Sequence, residues 1–221
     1  MGAARVPGFV LGIILSALLL ACSTPAPVVR YDLGVPPVAN TPPLAPGPGD
    51  YVAAEVEVLA PAWLDTPALL YRLAYADESQ VHAYAQSQWV APPARLVEQA
   101  MRRLGAVQRS CGGSATREAA PDAAATRLAV ELEEFSQVFD APQASRVVLS
   151  ARARLLAART HAVLAQRDFD LRSAAPSADA PGAVHALQEL TNLFAASVTT
   201  WAAAQTLPAC ASAPAAPPAG R

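Results

Sequence analysis

Six apolar residues near the end of the chain, Val184, Leu187, Leu190, Phe194, Val198 and Trp201, recur at steps of three and four. That spacing gathers side chains onto one stripe of an α-helix. It predicts a helix from Pro181 to Gln205, with Leu193 beside the stripe. A stripe of this length is stable in water only if it lies across a broad apolar surface, and a sheet is the surface the upstream residues can build. Thr126 to Phe139 and Arg146 to Ala157 read as two strands joined by a hairpin loop, Asp140–Ser145. The first carries Glu131 and Glu133, the second Arg152 and Arg154. If Glu133 faces Arg152, an antiparallel register sets Glu131 opposite Arg154, Val130 opposite Leu155 and Leu132 opposite Ala153. Opposed charges across strands contribute about 0.2–1 kcal/mol each, which selects a register more than it holds a fold. The same register leaves Glu134 beside Ala151 on the apolar side, so a bulge is expected near Glu134–Phe135.

The remaining elements follow from alternation and breakers. Tyr31–Gly34 is a brief strand, followed by a stretch over 35–50 with six prolines that cannot join a ladder. Tyr51 to Leu59 alternates Val52, Ala54, Val56 and Val58 against Glu55 and Glu57. After the break at Pro61–Pro67 a second strand runs from Ala68 to Tyr75, and Val81–Tyr84 is a third, shorter one. Pro92 and Pro93 introduce a helix to Leu104, with Leu96, Val97, Ala100 and Leu104 on its dry stripe and Arg95, Glu98, Gln99, Arg102 and Arg103 on its wet side. Gly105 stops it. A polar loop over 108–125 holds Cys111, a strand runs from His161 to Phe169, and Ser173–Gly182 is a loop. Leaving the brief first strand aside, the order β-β-β-α-β-β-β-α predicts an α+β fold. It is a single domain over 30–207 in which two main helices cover an antiparallel sheet. A disordered Pro/Ala-rich tail follows over 208–221.

Composition excludes several functions. Net charge is −2, with no basic block to displace the counterions of a nucleic acid. All sixteen basic residues are arginine. Without lysine there is neither a phosphate-binding Gly-Lys-Ser/Thr loop nor a Schiff-base amine. Any ATP-driven motor therefore belongs to another chain.

The N-terminus sets the compartment. Met1–Arg5 is short and cationic, Phe9–Ala21 is an apolar run of 13 residues, and Cys22 follows. This is the layout of a secretory signal peptide over 1–21. The alternative, a membrane-spanning anchor, needs roughly 20 apolar residues. Leu19-Leu20-Ala21-Cys22 resembles the lipobox of bacterial lipoproteins, which implies a diacylated Cys22 at the start of the mature chain and a lipidated tether over 22–29. In such lipoproteins an Asp after the cysteine favours retention in the inner membrane. Ser23 therefore implies the outer membrane, with the domain facing the periplasm. Cys111 and Cys210 remain, and in an exported chain they are expected to form a disulfide. Two free thiols are the alternative.

No catalytic, cofactor-binding or metal-binding set emerges. His82, His161 and His185 lack the paired spacing of zinc ligands. Gly112-Gly113-Ser114 is followed by Ala115, so a nucleophile elbow is missing. Cys111 has no base nearby in the sequence. Glu133–Glu134 could mimic an acid/base pair, but charge pairing across the hairpin explains Glu133 more simply. Trp63-Leu64-Asp65 reads as a corner in which Trp63 plugs the core and Asp65 caps the turn, ahead of a partner-contact site. Trp89 reads as core. Tyr71, Tyr75 and Tyr84 read as buried sheet face ahead of a greasy lipid-facing surface.

Val58 to Arg72, which contains Pro61-Ala62-Trp63-Leu64-Asp65, then Tyr84, Gln88-Trp89-Val90-Ala91-Pro92-Pro93 and the helix to Leu104, resembles the ABC-type transport auxiliary lipoprotein family, which includes the paraquat-inducible protein C lipoproteins. Tyr31-Asp32-Leu33 close behind the cysteine fits the same pattern, as do the Glu-rich strand, its Arg-bearing partner and the final helix. The resemblance covers roughly residues 30 to 205. It implies a non-enzymatic auxiliary of an envelope transport system moving phospholipid or another hydrophobic cargo between membranes. Its partners would be membrane lipid through the acylated Cys22, a periplasmic mammalian-cell-entry (MCE) domain protein, and an inner-membrane ABC permease and ATPase. Homo-oligomer formation is left open. The alternatives are a structural envelope lipoprotein and a periplasmic lipid carrier without an ABC partner.

Overall fold

The structure is a computed structural model that describes residues 27–34, 53–103, 126–157 and 159–205. The expected signal peptide over 1–21, Cys22, the Pro-rich stretch over 35–50, the expected helix end at Leu104–Gly105, the expected loop over 108–125 with Cys111, Cys210 and the expected tail lie outside the described residues. The strands are β1 (Val29–Tyr31), β2 (Ala53–Leu59), β3 (Ala68–Leu73), β4 (Asp77–Trp89), β5 (Thr126–Ala141), β6 (Ala144–Ala157) and β7 (Val163–Ala174). The helices are α1 (Pro93–Arg103) and α2 (Ala180–Ala203).

All seven strands form one sheet in the order β1-β4-β3-β5-β6-β7, with β2 also paired to β5. Two helices over one sheet in a single α+β domain is the class expected, and the sheet is mixed. β1 runs parallel to β4, and both β2 and β3 run parallel to β5. β2 and β3 lie in tandem along one edge of β5, the first against Thr126–Glu131 and the second against Gln137–Phe139. Pro61–Pro67 is thus an excursion between two halves of what would otherwise be one long strand. Proline cannot donate to a ladder, so the chain leaves the sheet there.

One face of the sheet is dry. Val56 and Val58 of β2 sit beside Leu128 and Val130 of β5, and these beside Leu155 and Ala153 of β6. All are buried in one core with Leu187, Leu190, Phe194 and Val198 of α2 and with Val97 and Met101 of α1. Burial of each large side chain of this kind stabilises by about 1.5–3 kcal/mol. Phe169 of β7 meets Phe194 and Trp201 edge-on at 5.6 and 6.0 Å between centroids. Leu193 departs from expectation. It is 54% exposed, because the stripe is only as wide as the sheet contact and Leu193 lies past its margin.

The hairpin charges meet as expected, but in another register. Glu131 pairs with Arg152, Val130 with Ala153 and Leu132 with Ala151, and the bulge falls between Leu132 and Glu134. Arg154 still contacts Glu131, and Arg152 lies 3.9 Å from Glu133, both across diagonals. Arginine is long enough to reach its carboxylate from two residues away, so charge pairing fixes the face and leaves the register to the turn. That turn is tighter than Asp140–Ser145: the strands run to Ala141 and from Ala144. β4 and β7 are also longer than expected, because residues such as Asp77–Gln80 of β4 and Asp170 and Arg172 of β7 are polar and exposed and leave no apolar alternation.

Two local devices position α2. Asp179 is its N-cap and accepts from the Gly182 N–H at 2.8 Å, while the Ser177 hydroxyl donates to the same carboxylate at 2.6 Å. Gly182 packs so tightly here that a Cβ on it would sit 2.3 Å from the Ser177 carbonyl oxygen.

Candidate functional site

The break between β2 and β3 opens a notch of about 400 Å³, lined by Leu59, Ala60, Pro61, Glu131, Leu132 and Glu133. It exists because, among the described residues, β5 has no strand against Leu132–Ser136 on this edge. The excursion that bounds it turns on the Pro61 carbonyl, which accepts from the backbone of Leu64 and Asp65. Leu64, not Trp63, is the plug. Leu64 is 0% exposed and Trp63 is 42% exposed, so the expectation for Trp63 is corrected. The smaller aliphatic side chain fills the corner, and the indole lies outside against the Arg72 guanidinium, 5.4 Å from its centroid. Trp89 is core as expected, 5.6 Å from Phe135.

On the solvent face the arginines and carboxylates form a lattice. Arg127 pairs with Glu55 at 2.8 Å and Glu57 at 3.4 Å, Arg152 with Asp168 at 2.7 Å, and Arg172 with Asp170 at 2.8 Å. Arg72 reaches Glu134 at 2.8 Å, and Arg146 contacts Asp140. The Arg172 hydrogen bond holds the Asp170 carboxyl below its usual range. A polar basin of about 300 Å³ lies among Arg72, Glu134, Arg146, Arg172, Val138 and Val148. Its arginines are already engaged with carboxylates, so it is a neutralised surface and not an anion trap. The lattice keeps an otherwise sticky sheet face and its edges in water.

Toward the β3–β4 turn the dry face continues as an aromatic cluster. The Tyr71 ring stacks on His82 at 5.2 Å, tilts against Tyr84 at 4.8 Å and meets Phe139 at 5.7 Å. The Tyr84 hydroxyl donates to Gln137 Oε1 at 2.6 Å, and Gln137 Nε2 donates to Ser145 Oγ at 2.7 Å. Burial first, then the charge of Asp179, pushes the Tyr84 phenol up to about 12. Tyr71 and Tyr84 are half-buried sheet-face residues as read from the sequence, while Tyr75 lies exposed in the turn. His82, His161 and His185 are not brought into a metal-binding group among the described residues. No described helix is long and apolar enough to cross a membrane. Glu133 and Glu134 are divided by the bulge and answer to different arginines, Arg152 and Arg72.

A family model for the ABC-type transport auxiliary lipoprotein component matches residues 31–199, which takes in every described strand and helix in part or whole except β1's first two residues and the end of α2. The chain belongs to this family. As an auxiliary lipoprotein it is associated with an ABC transport system, and its family is one of envelope lipoproteins. No curated protein matches the chain significantly. Among solved structures, a protein from Xanthomonas campestris is similar with a TM-score of 0.61 at 18% identity, covering 80% of this chain and 95% of that one. An uncharacterized protein is similar with a TM-score of 0.54 at 14% identity, covering 80% and 99%. At those identities the likeness is one of fold. The auxiliary lipoprotein's notch and its exposed Trp63 were not separable in the sequence, since both depend on the tandem placement of β2 and β3 on β5.

Proposed function

We propose that this auxiliary lipoprotein is held to the outer membrane by acyl chains on Cys22, faces the periplasm, and serves without catalysis as an adaptor in an ABC/MCE-type transport system moving phospholipid or another hydrophobic cargo. The family match over residues 31–199 carries this reading. Two or three acyl chains give stable anchoring where one is marginal. The adaptor role is favoured over a lipid carrier because the dry face of the sheet is filled by α1 and α2, with Phe135, Leu149, Leu187 and Phe194 fully buried.

The test is Cys22→Ala together with cross-linking of the native protein in isolated envelopes. The variant should leave a folded, soluble periplasmic protein and abolish the transport phenotype. The native protein should cross-link to an MCE-domain protein and so to the permease and ATPase. Unchanged membrane association of the variant removes the lipidation. A correctly lipidated protein that cross-links to none of these components is a structural lipoprotein instead.

In the same reading Cys111 and Cys210 are bridged, closing a loop of about 100 residues that stabilises by up to ~4.7 kcal/mol in the chain-entropy model. Peptide mapping without reductant should recover them as one linked fragment. Two free thiols would dismiss the bridge.

A further inference from the structure

The sheet gives the anchor a direction. β1 runs parallel to the end of β4, with Val29 beside Ser87 and Tyr31 beside Trp89. β4 is antiparallel to β3, with Asp77 beside Leu73 at the turn. Followed backwards from Val29, the chain therefore points along β4 toward the β3–β4 turn. Seven Cα steps separate Val29 from Cys22, a reach of at most about 25 Å. The run of β4 from Ser87 to Asp77 is ten steps, about 33 Å in a strand. Cys22 can thus lie alongside the ribbon formed by β3 and β4 and falls short of its tip by about 8 Å or more.

Four of the ten exposed large apolar side chains among the described residues lie along that side. Val28, Val29, Tyr75 and Val81 are 49%, 48%, 49% and 40% exposed. β1 covers β4 only over Ser87–Trp89, so Asp77–Gln86 has no strand on its outer edge among the described residues. The exposed charges beside this patch are of both signs, Arg30 against Asp77 and Glu78.

We infer that β1 and the β3–β4 ribbon form a membrane-docking face along the open edge of β4, where side chains from both sides of the ribbon, Tyr75, Val81, Val28 and Val29, rest against a bilayer surface of zwitterionic headgroups. The inference rests on the lipidation proposed above. The acyl chains hold the domain near the bilayer, and this face sets which side of it meets the lipid. The mixed charges give no reason for attraction to an anionic surface, so the apolar contacts and an amphipathic Tyr75 carry the docking.

Hydrogen exchange of the full lipidated chain on phosphatidylcholine/phosphatidylethanolamine vesicles, compared with soluble Cys22→Ala, tests it. Exchange in 28–31 and 75–86 should slow several-fold on vesicles, while the segment around Val163 and Leu164 should not change. Tyr75→Ser with Val81→Ser, both at exposed positions, should stay vesicle-bound through the anchor and lose the protection. Exchange in 75–86 that is the same on vesicles and in solution, with the lipidated protein fully bound, overturns the docking face alone. A native chain that does not float with vesicles at all overturns the lipidation, and this inference falls with it.

Discussion

Arg72 lies over the ring of Trp63, 5.4 Å from its centroid, and the same guanidinium gives two hydrogen bonds to Glu134 Oε2 at 3.2 and 2.8 Å. Its remaining nitrogen donates to the Glu78 carbonyl at 3.2 Å. One side chain therefore ties the Pro61–Pro67 excursion, the β3–β4 ribbon and the bulged part of β5 together.

Removing the cation should hurt more than neutralising its carboxylate partner. Glu134 is only 20% exposed at the side chain, and its Oε1 is buried without a partner. Arg72→Met should cost about 1–3 kcal/mol because it strands that carboxylate. Glu134→Gln should cost less, since the amide oxygen can still accept. Urea unfolding midpoints of the two variants check the order.

Leu64 and Trp63 should separate plug from surface. Leu64→Ala empties a fully enclosed site and should cost about 2–5 kcal/mol. Trp63→Ala loses mainly an exposed cation–π contact worth about 0.5–1 kcal/mol. A thermal melt in which Trp63→Ala falls further than Leu64→Ala would reverse the assignment of the corner.

Tyr84 makes stability depend on pH in the alkaline range. Its folded pKa, about 12, lies above the ordinary tyrosine value of 10.0. The buried neutral phenol therefore contributes stability that is full below 10 and is lost as pH rises toward 12. Tyr84→Phe should forfeit the Gln137 hydrogen bond, about 0.5–1.5 kcal/mol near neutrality. Its deficit should shrink through that alkaline window, which denaturant titrations across pH will resolve.

The start of α2 titrates in the opposite direction. Hydrogen bonds from Ser177, then from the Gly182 backbone, hold the Asp179 carboxyl below the ordinary aspartate value of 3.8. Its contribution is present above that value and fades as pH falls through the lowered one. Asp179→Ala should cost about 0.5–2 kcal/mol near neutrality and converge with the native protein in acid. Gly182→Ala drives a Cβ into the Ser177 carbonyl and should destabilise by about 1–3 kcal/mol at every pH. Paired melts at neutral and acid pH distinguish the two.

Legibility in the sequence followed burial. Val184, Leu187, Phe194 and Trp201 announced α2 because a stripe against a sheet must be apolar, and Val56 and Val58 announced β2 for the same reason. Asp77–Gln80 and Arg172–Ala174 were silent because their strands are held by backbone hydrogen bonds while their side chains face water. The opposed charges of Glu131 and Arg154 identified the hairpin partner and the shared face, yet two registers satisfy them equally. Parallel pairing of β2 and β3 on β5 had no local signature, because it joins residues far apart in the chain. The notch and the outward turn of Trp63 follow from that pairing and were hidden with it.

The three-residue junction between β3 and β5 has a mechanical consequence. Tension applied at the N-terminus enters through β1, passes to β4 and crosses within the sheet by the Tyr71–Gln137, Arg72–Val138 and Leu73–Phe139 pairings, while Gln188 donating to the Asp32 carbonyl and Arg103 to the Gly34 carbonyl pass part of it to α2 and α1. The Arg72–Glu134 and Tyr84–Gln137 bonds reinforce that crossing. Three strand pairs are all that the ladder offers between the ribbon and β5, so the helix contacts share the load of holding the N-terminal part of the fold to the rest.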